Sequence, residues 1–376
     1  MTPLFLTLLL LSGIYYSYFV LSARRGLQRA AANKRRTPHT PFVSVVVAMK
    51  NEAHNLTQLV KGLREQDYHH EKIEFLLIDD HSTDATTTIA QTLFTEDPRF
   101  RLYSAPASAR ARTTVTGGKA MALAEGIKHA RGEILLLTDA DCEPPPSWAR
   151  TMASMFSEDV AYVVGPVVER APGLFGSIRA IDFLAILATS AGRIGMGKPV
   201  NSFGANAAFR KSAYERAGGF QFDRRLGDEE FLMHKIHEEG WGRVLFCADA
   251  EAKVVTRVPS SFEPFWRQRL RWASMEERYP SGTILVELGT IYLFYLLMLA
   301  APILGLLDSR IFGAFVGFFV LKLLVDSAAL RSASRILGEG FSFSVFFVSE
   351  LFHLPYIVFV TIFARVVPMK WKEGTR

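Results

Sequence analysis

The hydrophobic pattern divides the chain into apolar ends and an alternating middle. Residues Pro3 to Ala23 form an uncharged run, and a membrane helix needs about 20 such residues. Thr283 to Leu307 is a second run of that kind, with Glu287 as its only charge. Ile311 to Leu330 and Phe341 to Ala364 are further candidate spans that carry polar residues, Lys322 and Asp326 in the first, Glu350, His353 and Pro355 in the second. The i, i+4 spacing of Lys322 and Asp326 permits an ion pair on one helix face. Ionisable groups within a membrane face protein or a water-filled cavity.

Between Pro41 and Tyr279, short apolar runs alternate with segments of helical period, which predicts an α/β domain with a largely parallel sheet. Strands are expected at Phe42 to Ala48, Ile73 to Ile78, Phe100 to Tyr103, from Ile134 to the acids that follow it, and at Ala161 to Val168. Helices are expected at Glu52 to Arg64, Asp84 to Leu93, Lys119 to His129 and Ser177 to Thr189. A further helix begins at Gly227, and an amphipathic one leads to Trp272. The organisation that follows is a membrane helix over 1–23, a basic linker over 24–40, one cytoplasmic domain over 41–280 and a membrane region over 281–376.

Composition and charge sharpen this picture. A 49% hydrophobic content in 376 residues suits one sizeable domain plus membrane segments. The net charge of +6 is concentrated beside the membrane runs. Arg24, Arg25, Arg29, Lys34, Arg35 and Arg36 follow the first apolar run and place that flank on the cytoplasmic side. A cleaved signal peptide would carry its positive charges before the apolar core. Because juxtamembrane basic residues explain the charge, nucleic acid is not an expected partner. The tail residues Arg365, Lys370, Lys372 and Arg376 conflict with three C-terminal crossings, so two crossings plus an interfacial segment stand beside three. Two cysteines, Cys142 and Cys247, are too few for a disulfide framework or a zinc cluster.

The candidate chemistry gathers at strand ends. Asp139-Ala140-Asp141 closes the Ile134 strand; on an extended backbone the two carboxylates share a side. Hard oxygen donors of this kind suit Mg²⁺ or Mn²⁺ carrying phosphates. Asp79-Asp80-His81-Ser82-Thr83-Asp84 follows the second strand. Ser82 or Thr83 would cap the next helix, while carboxylates also accept hydrogen bonds from ribose hydroxyls or a pyrimidine N–H. Asn51-Glu52 ends the first strand, and three acidic strand ends on one sheet edge favour a nucleotide site.

Gly117-Gly118-Lys119 lets the backbone approach a ligand and offers an ammonium to phosphate, without the spacing of a Walker A loop. Gly227-Asp228-Glu229-Glu230 opens a helix. The macrodipole accounts for at least one of those acids, and a general base for sugar transfer is the other use of such a group. Gln268-Arg269-Leu270-Arg271-Trp272, with Trp266, Arg267 and Arg278 nearby, reads either as an interfacial belt or as part of a ligand site.

In order and spacing these motifs resemble the family-two processive glycosyltransferases, which include cellulose, chitin and hyaluronan synthases. The resemblance runs from Phe42 to Trp272. It rests on Asn51-Glu52, Asp79-Asp80 with Ser82 and Asp84, Gly118-Lys119, Asp139 with Asp141, Ser202 to Asn206, Asp228-Glu229, and Gln268 with Arg271-Trp272.

It implies a GT-A fold and inverting transfer from a nucleotide-diphosphate sugar, with UDP-sugars the first candidates. Glu52, Asp79 and Asp80 would hold the nucleoside, Lys119 and Asp139 the donor, and Asp141 with Asp139 the Mg²⁺ or Mn²⁺. Asn206 would lie at the acceptor end, while Gln268, Arg271 and Trp272 would close over the pyrophosphate and acceptor. The family pair ends in aspartate where this chain has Asp228-Glu229, so the base is open between those two residues, with Glu230 behind them. The acceptor is a growing glycan or, alternatively, a lipid of polyprenyl phosphate, ceramide or diacylglycerol type. The implied setting is a multi-pass protein of the plasma (inner) membrane with a cytoplasmic catalytic domain, contacting membrane lipid and an oligomeric or export partner. A non-enzymatic scaffold is the remaining alternative, disfavoured because an acid stands at every position where the motifs ask for one.

Overall fold

The computed structural model describes residues 2–33, 36–37, 39–106, 117–220, 228–259, 261–274 and 282–366. The chain divides into two compact units: Gly26–Arg170 with Arg193–Arg257, and Met1–Arg25 with Ala171–Gly192 and Val258–Arg376.

The first unit is the α/β one. Its larger sheet has seven strands: β1 (Val43–Met49), β2 (Ile73–Asp79), β3 (Phe100–Ser104), β4 (Ile134–Leu137), β6 (Val160–Val164), β8 (Ala207–Arg210) and β9 (Arg243–Phe246), in the order β3-β2-β1-β4-β8-β6-β9. The four strands from β3 to β4 are parallel, whereas β8 runs antiparallel to both β4 and β6. A second, three-stranded sheet joins β5 (Cys142–Glu143), β10 (Val254–Arg257) and β7 (Val167–Arg170) in the order β5-β10-β7.

Both faces of β1 are covered, which is why its sequence VSVVVAM is apolar almost throughout instead of alternating. Val43, Val45, Val47 and Met49 share a core with Leu56, Leu59, Val60 and Leu63 of α2 (Leu56–Arg64). On the opposite face α4 (Gly117–His129) lies so close that a methyl group at Gly126 would strike Ile78 and Val46. Burial of each such Val or Leu stabilises by about 1.5–3 kcal/mol. The segments expected to be helical from Glu52 and from Asp84 are shorter, beginning at Leu56 and, for α3, at Thr86 (Thr86–Phe94). The residues ahead of them form loops.

The single strand expected over Ala161 to Val168 is two strands in different sheets. The chain turns at Gly165-Pro166, where a side chain on Gly165 would collide with Asn206 and proline has no N–H to continue a ladder.

One buried carboxylate ties the parallel strands together at their starting edge. Glu74, 1% exposed, accepts from the Ser44 hydroxyl at 2.6 Å, the Arg131 backbone N–H at 2.7 Å and Arg131 Nε at 2.9 Å. Ser44 Oγ in turn accepts from Gly132 N at 2.8 Å. The segment entering β4 is thereby fixed against β1 and β2.

The second unit is built from apolar helices: α1 (Thr2–Ala32), α6 (Gly173–Gly195), α10 (Gly282–Leu304), α11 (Ser309–Leu337) and α12 (Phe343–Val366), together with α9 (Phe262–Ala273). Among the described residues these five long helices, α9 excluded, have the length and apolarity to cross a membrane. Large side chains such as Leu4, Val286, Leu324 and Phe352 point outward, as lipid-facing positions would. Two features differ from the expected organisation. Helix α1 continues to Ala32, into the basic linker, and α6, read from sequence as a domain helix, is long and apolar enough to span. The ion pair expected between Lys322 and Asp326 is present at 2.7 Å. The tail residues Lys370, Lys372 and Arg376 lie outside the described residues.

Glu74→Ala would leave the Ser44 hydroxyl and the Arg131 N–H without their acceptor, and we expect it to cost about 3 kcal/mol in the α/β unit. Urea unfolding followed by tryptophan fluorescence of the full chain in detergent measures this, with Glu74→Gln expected to lose less.

Candidate active site

Strand register sets the site. Met49 pairs with Asp79, and Val46 pairs with Leu137, so β2, β1 and β4 end close together on one edge. Asp79-Asp80, Asn51-Glu52 and Asp139-Asp141 therefore leave three adjacent parallel strands in that lateral order, with Glu52 on the central one. That crevice beyond the carboxyl ends is where open α/β sheets take ligands.

The first two loops are braced against each other. Asn51 N donates to Ser82 Oγ at 2.9 Å, and Thr83 N donates to Asn51 Oδ1 at 2.8 Å. Glu52 N donates to Thr86 Oγ1 at 2.8 Å; Thr86 Oγ1 then donates to Asp84 Oδ1 at 2.5 Å. That hydroxyl bond, with backbone N–H groups behind it, holds the Asp84 carboxyl below the usual carboxylate range. The cap expected from Ser82 or Thr83 is thus absent: Ser82 holds the neighbouring loop, and Asp84 takes the helix-end N–H of Thr86 at 3.0 Å. Asn51 and His81 adopt left-handed φ values of 56° and 57°, which non-glycine residues accept only when their surroundings impose them.

These braces fix the acids. Asp79 Oδ1 accepts from Ser82 N at 3.2 Å, and Glu52 Oε2 accepts from Asn55 Nδ2 at 2.7 Å. Asp80, largely buried, pairs with Lys50 Nζ at 3.3 Å and with His81 Nδ1 at 3.3 Å. A methyl group on Gly118 would sit 2.6 Å from Asp80 Oδ2, so the glycine admits the carboxylate.

Beyond β4 the geometry departs from the expected extended strand. Strand pairing ends at Leu137, and residues 139–142 form a turn closed by Cys142 N donating to Asp139 O at 3.1 Å. The turn, not strand alternation, brings oxygen atoms of Asp139 and Asp141 and the Cys142 sulfur within 4.8 Å of one another. Burial first, then the charges of Asp139 and Asp141, pushes the Cys142 thiol well up. Thiolate sulfur suits softer metals, whereas the two carboxylates are hard oxygen donors of the kind that suit Mg²⁺ or Mn²⁺.

Charge crowding supports the same fit. Asp141 retains solvent exposure. Partial burial, followed by the carboxylates of Asp139 and Glu52, raises its carboxyl to about 6. Lys119 Nζ lies 2.6 Å from Asp139 Oδ1. Burial opposes its charge, but Asp139 and then Glu229 outweigh that and hold the ammonium above its ordinary value. Since 47% of the Lys119 side chain is exposed, solvent screens part of this attraction.

The acids of α8 (Asp228–Glu238) separate by environment. Glu229 contributes to the field on Lys119, and its carboxylate lies against Gly204, where any side chain would meet it. Its backbone carbonyl accepts from Tyr162 OH at 3.1 Å. Glu230 is buried and accepts from Asn201 Nδ2 at 3.1 Å, a packing role. The Asp228 side chain lies outside the described residues.

Asn206 lies inside the protein. It is fully buried, its Oδ1 accepting from Trp148 Nε1 at 2.8 Å and its Nδ2 donating to Pro166 O and Ala252 O, each at 2.8 Å. With those groups engaged, the side chain ties the start of β8 to the segments that lead into β7 and β10. Gln268, Arg271 and Trp272 lie on α9 in the helical unit, where Gln268 Oε1 accepts from Arg179 at 3.2 Å and the Trp272 ring lies 6.0 Å from that of Phe183. The sequence reading missed Lys50 and the Thr86 brace. It also missed the contact of Gly204 with Glu229; the glycine within Ser202 to Asn206 was the available clue.

Two family profiles match the chain: Glycosyl transferase family 2 over residues 44–218 and Glycosyl transferase family group 2 over residues 134–366. The beta-monoglucosyldiacylglycerol synthase of Nostoc sp. is 27% identical over 242 residues, covering 62% of this chain and 48% of that protein. The poly-beta-1,6-N-acetyl-D-glucosamine synthase of Staphylococcus epidermidis is 25% identical over 281 residues, covering 72% and 63%. The chain thus spans about half the length of the first of these relatives and less than two thirds of the second. Among solved structures, the mannosyltransferase PcManGT from Pyrobaculum calidifontis, in complex with GDP-Man and Mn²⁺, aligns with a TM-score of 0.52 at 20% identity, covering 96% of this chain and 98% of that one. That likeness is one of fold, and it is the GT-A fold. The first profile runs through all three acid-bearing strand ends, and the second covers more than half of the sequence: the chain belongs to Glycosyl transferase family group 2.

Proposed function

We propose that the protein transfers a sugar, with inversion, from a nucleoside diphosphate sugar to a growing glycan at a membrane. The observation that carries this reading is the acidic edge itself, with Asp79, Asp80 and Glu52 beside the Asp139/Asp141 pair and Lys119 set over Asp139. Carboxylates at the β1 and β2 ends accept from the ribose and base. Asp139 and Asp141 would hold Mg²⁺ or Mn²⁺, which when bound supplies Lewis-acid stabilisation to the departing diphosphate. Lys119 adds a positive charge on the same side.

Glu229 takes the proton of the acceptor hydroxyl as that oxygen bonds to the anomeric carbon and the sugar–phosphate bond breaks. Its placement by Gly204, near the Lys119 end of the site, supports this choice over Glu230, which is occupied by Asn201. Direct displacement needs no enzyme nucleophile, in keeping with the absence of a Ser-His-Asp or Cys-His pattern in the sequence.

Five helices suited to spanning and the basic flank at Arg24 and Arg25 support a multi-pass protein whose α/β unit faces the cytoplasm. A lipid acceptor is the second reading. The specific observation in its favour is the Nostoc relative, whose name describes glucosyl transfer to diacylglycerol.

Purified full-length protein in detergent with Mn²⁺ is expected to release nucleoside diphosphate from one member of a panel of UDP- and GDP-sugars. Asp141→Ala should lower that rate by about 100-fold or more; a variant as active as the wild type would contradict the role given to Asp141. Products sized by mass spectrometry separate a polymer from a single addition to lipid.

The base assignment is tested by steady-state kinetics. Glu229→Gln should lower kcat by about 10²–10⁴-fold with donor KM little changed, while Asp228→Asn remains the more active variant. The reverse order moves the base to Asp228. Gly204→Ala, which displaces the Glu229 carboxylate, should lower kcat about tenfold without loss of folded protein.

A further inference from the structure

Within the helical unit, α9 is held by charge as well as by packing. Arg269, 3% exposed, places NH2 at 2.7 Å from Asp182 Oδ2 on α6. The N–H groups do not aim at the oxygen, so the contact is an ion pair and not a directed hydrogen bond. Aromatic faces take the guanidinium on its other sides, Trp272 at 4.3 Å and Phe265 at 5.1 Å.

The other Asp182 oxygen lies 4.0 Å from His353 Nε2 on α12. His353 Nδ1 in turn lies 3.3 Å from Tyr295 OH on α10 and 3.5 Å from Lys322 Nζ on α11. Lys322 is paired with Asp326 and Glu350, and Tyr16 OH on α1 donates to Asp326 Oδ2 at 2.7 Å. Polar groups therefore follow one another from α9 through α6 to the four remaining long helices, with a 4.0 Å approach and no hydrogen bond between Asp182 and His353.

Packing alone does not require this. Phe265 and Leu270 already bury the inner face of α9, with Phe265 stacked on Tyr356 at 5.6 Å and Trp266 edge-on to Phe363 at 6.1 Å. An apolar pair in place of a buried ion pair is often neutral or stabilising, and charges among membrane helices are costly. What the pair adds is one rotational setting. Each residue turns an α-helix by about 100°, so fixing Arg269 fixes where Gln268, Arg271 and Trp272 point. Gln268 has its own tie to α6 through Arg179, which also donates to Pro259 O at 2.7 Å.

We infer that Asp182 and His353 are positioning residues: through Arg269 they set the orientation of α9 and with it the Gln268, Arg271 and Trp272 side chains. The inference rests on the proposed function and on the family resemblance, which implies that those three residues close over the pyrophosphate and acceptor, and it adds two residues, remote in sequence, that no motif contains.

The test uses full-length protein in lipid nanodiscs and two readouts, amide hydrogen exchange and steady-state kinetics. Asp182→Asn should speed exchange across 262–273 while leaving α10 and α11 unchanged, and should lower kcat about tenfold with donor KM within threefold. Asp182→Glu, which keeps the charge, should recover most of both, and His353→Gln should reproduce a smaller form of the defect. Unchanged exchange in 262–273 overturns the inference, as does exchange that rises in every helix together, which would mark a purely structural role. A change in α9 exchange with kcat unaltered also overturns it. If wild-type protein transfers no sugar from any donor, the proposed function fails by itself, and the exchange of 262–273 still decides whether Asp182 sets α9.

Discussion

The structure depends on keeping several carboxylates close together on one sheet edge. Parallel pairing of β2, β1 and β4 in register makes their ends coincide, so the acids that follow them cannot be far apart. Like charges at such spacing repel. Burial first, and then the charges of Asp139 and Glu52, raise the Asp141 carboxyl to about 6. Lys119 offsets part of it. The remaining excess of negative charge is what makes a divalent cation a natural occupant, and the cation in turn makes a diphosphate one.

Holding acids in that arrangement needs scaffolding, and the loops supply it through short side chains. Asn51, Ser82, Asp84 and Thr86 form a closed set of bonds between the β1 and β2 ends, and two left-handed residues, Asn51 and His81, persist because those bonds over-determine them. Glycines do complementary work by absence: Gly118 admits Asp80, and Gly204 admits Glu229. Glu74, at the opposite edge, ties the start of the same strands. The site is therefore a product of sheet register at one end and anchoring at the other.

Much of this was legible in the sequence. The apolar runs gave β1, β2 and β4 to within a residue or so at their starts, and the acids at their ends pointed to the edge they share. What was not legible has physical causes. The Asp139-Ala140-Asp141 segment has an alternating pattern, but strand pairing stops at Leu137, and only the backbone bond from Cys142 shows the turn. Asn206 sits in a motif yet faces inward, where its amide ties the start of β8 to the segments that lead into β7 and β10. The long helix α6 carries Arg179, Asp182 and Arg193 within its apolar pattern. Arg179 and Asp182 prove to be the buried groups that hold α9. Polar residues in apolar helices are thus the least readable part of the chain, as their partners lie far away in sequence.

The most direct measurement of the central claim is nucleoside diphosphate binding to wild-type protein by titration calorimetry, with Mn²⁺ and with EDTA. The account predicts that UDP or GDP binds about tenfold or more tightly when Mn²⁺ is present, because the cation neutralises the Asp139/Asp141 pair that otherwise repels the diphosphate. Equal affinity in the two conditions, or no binding of either nucleotide with Mn²⁺, would contradict it.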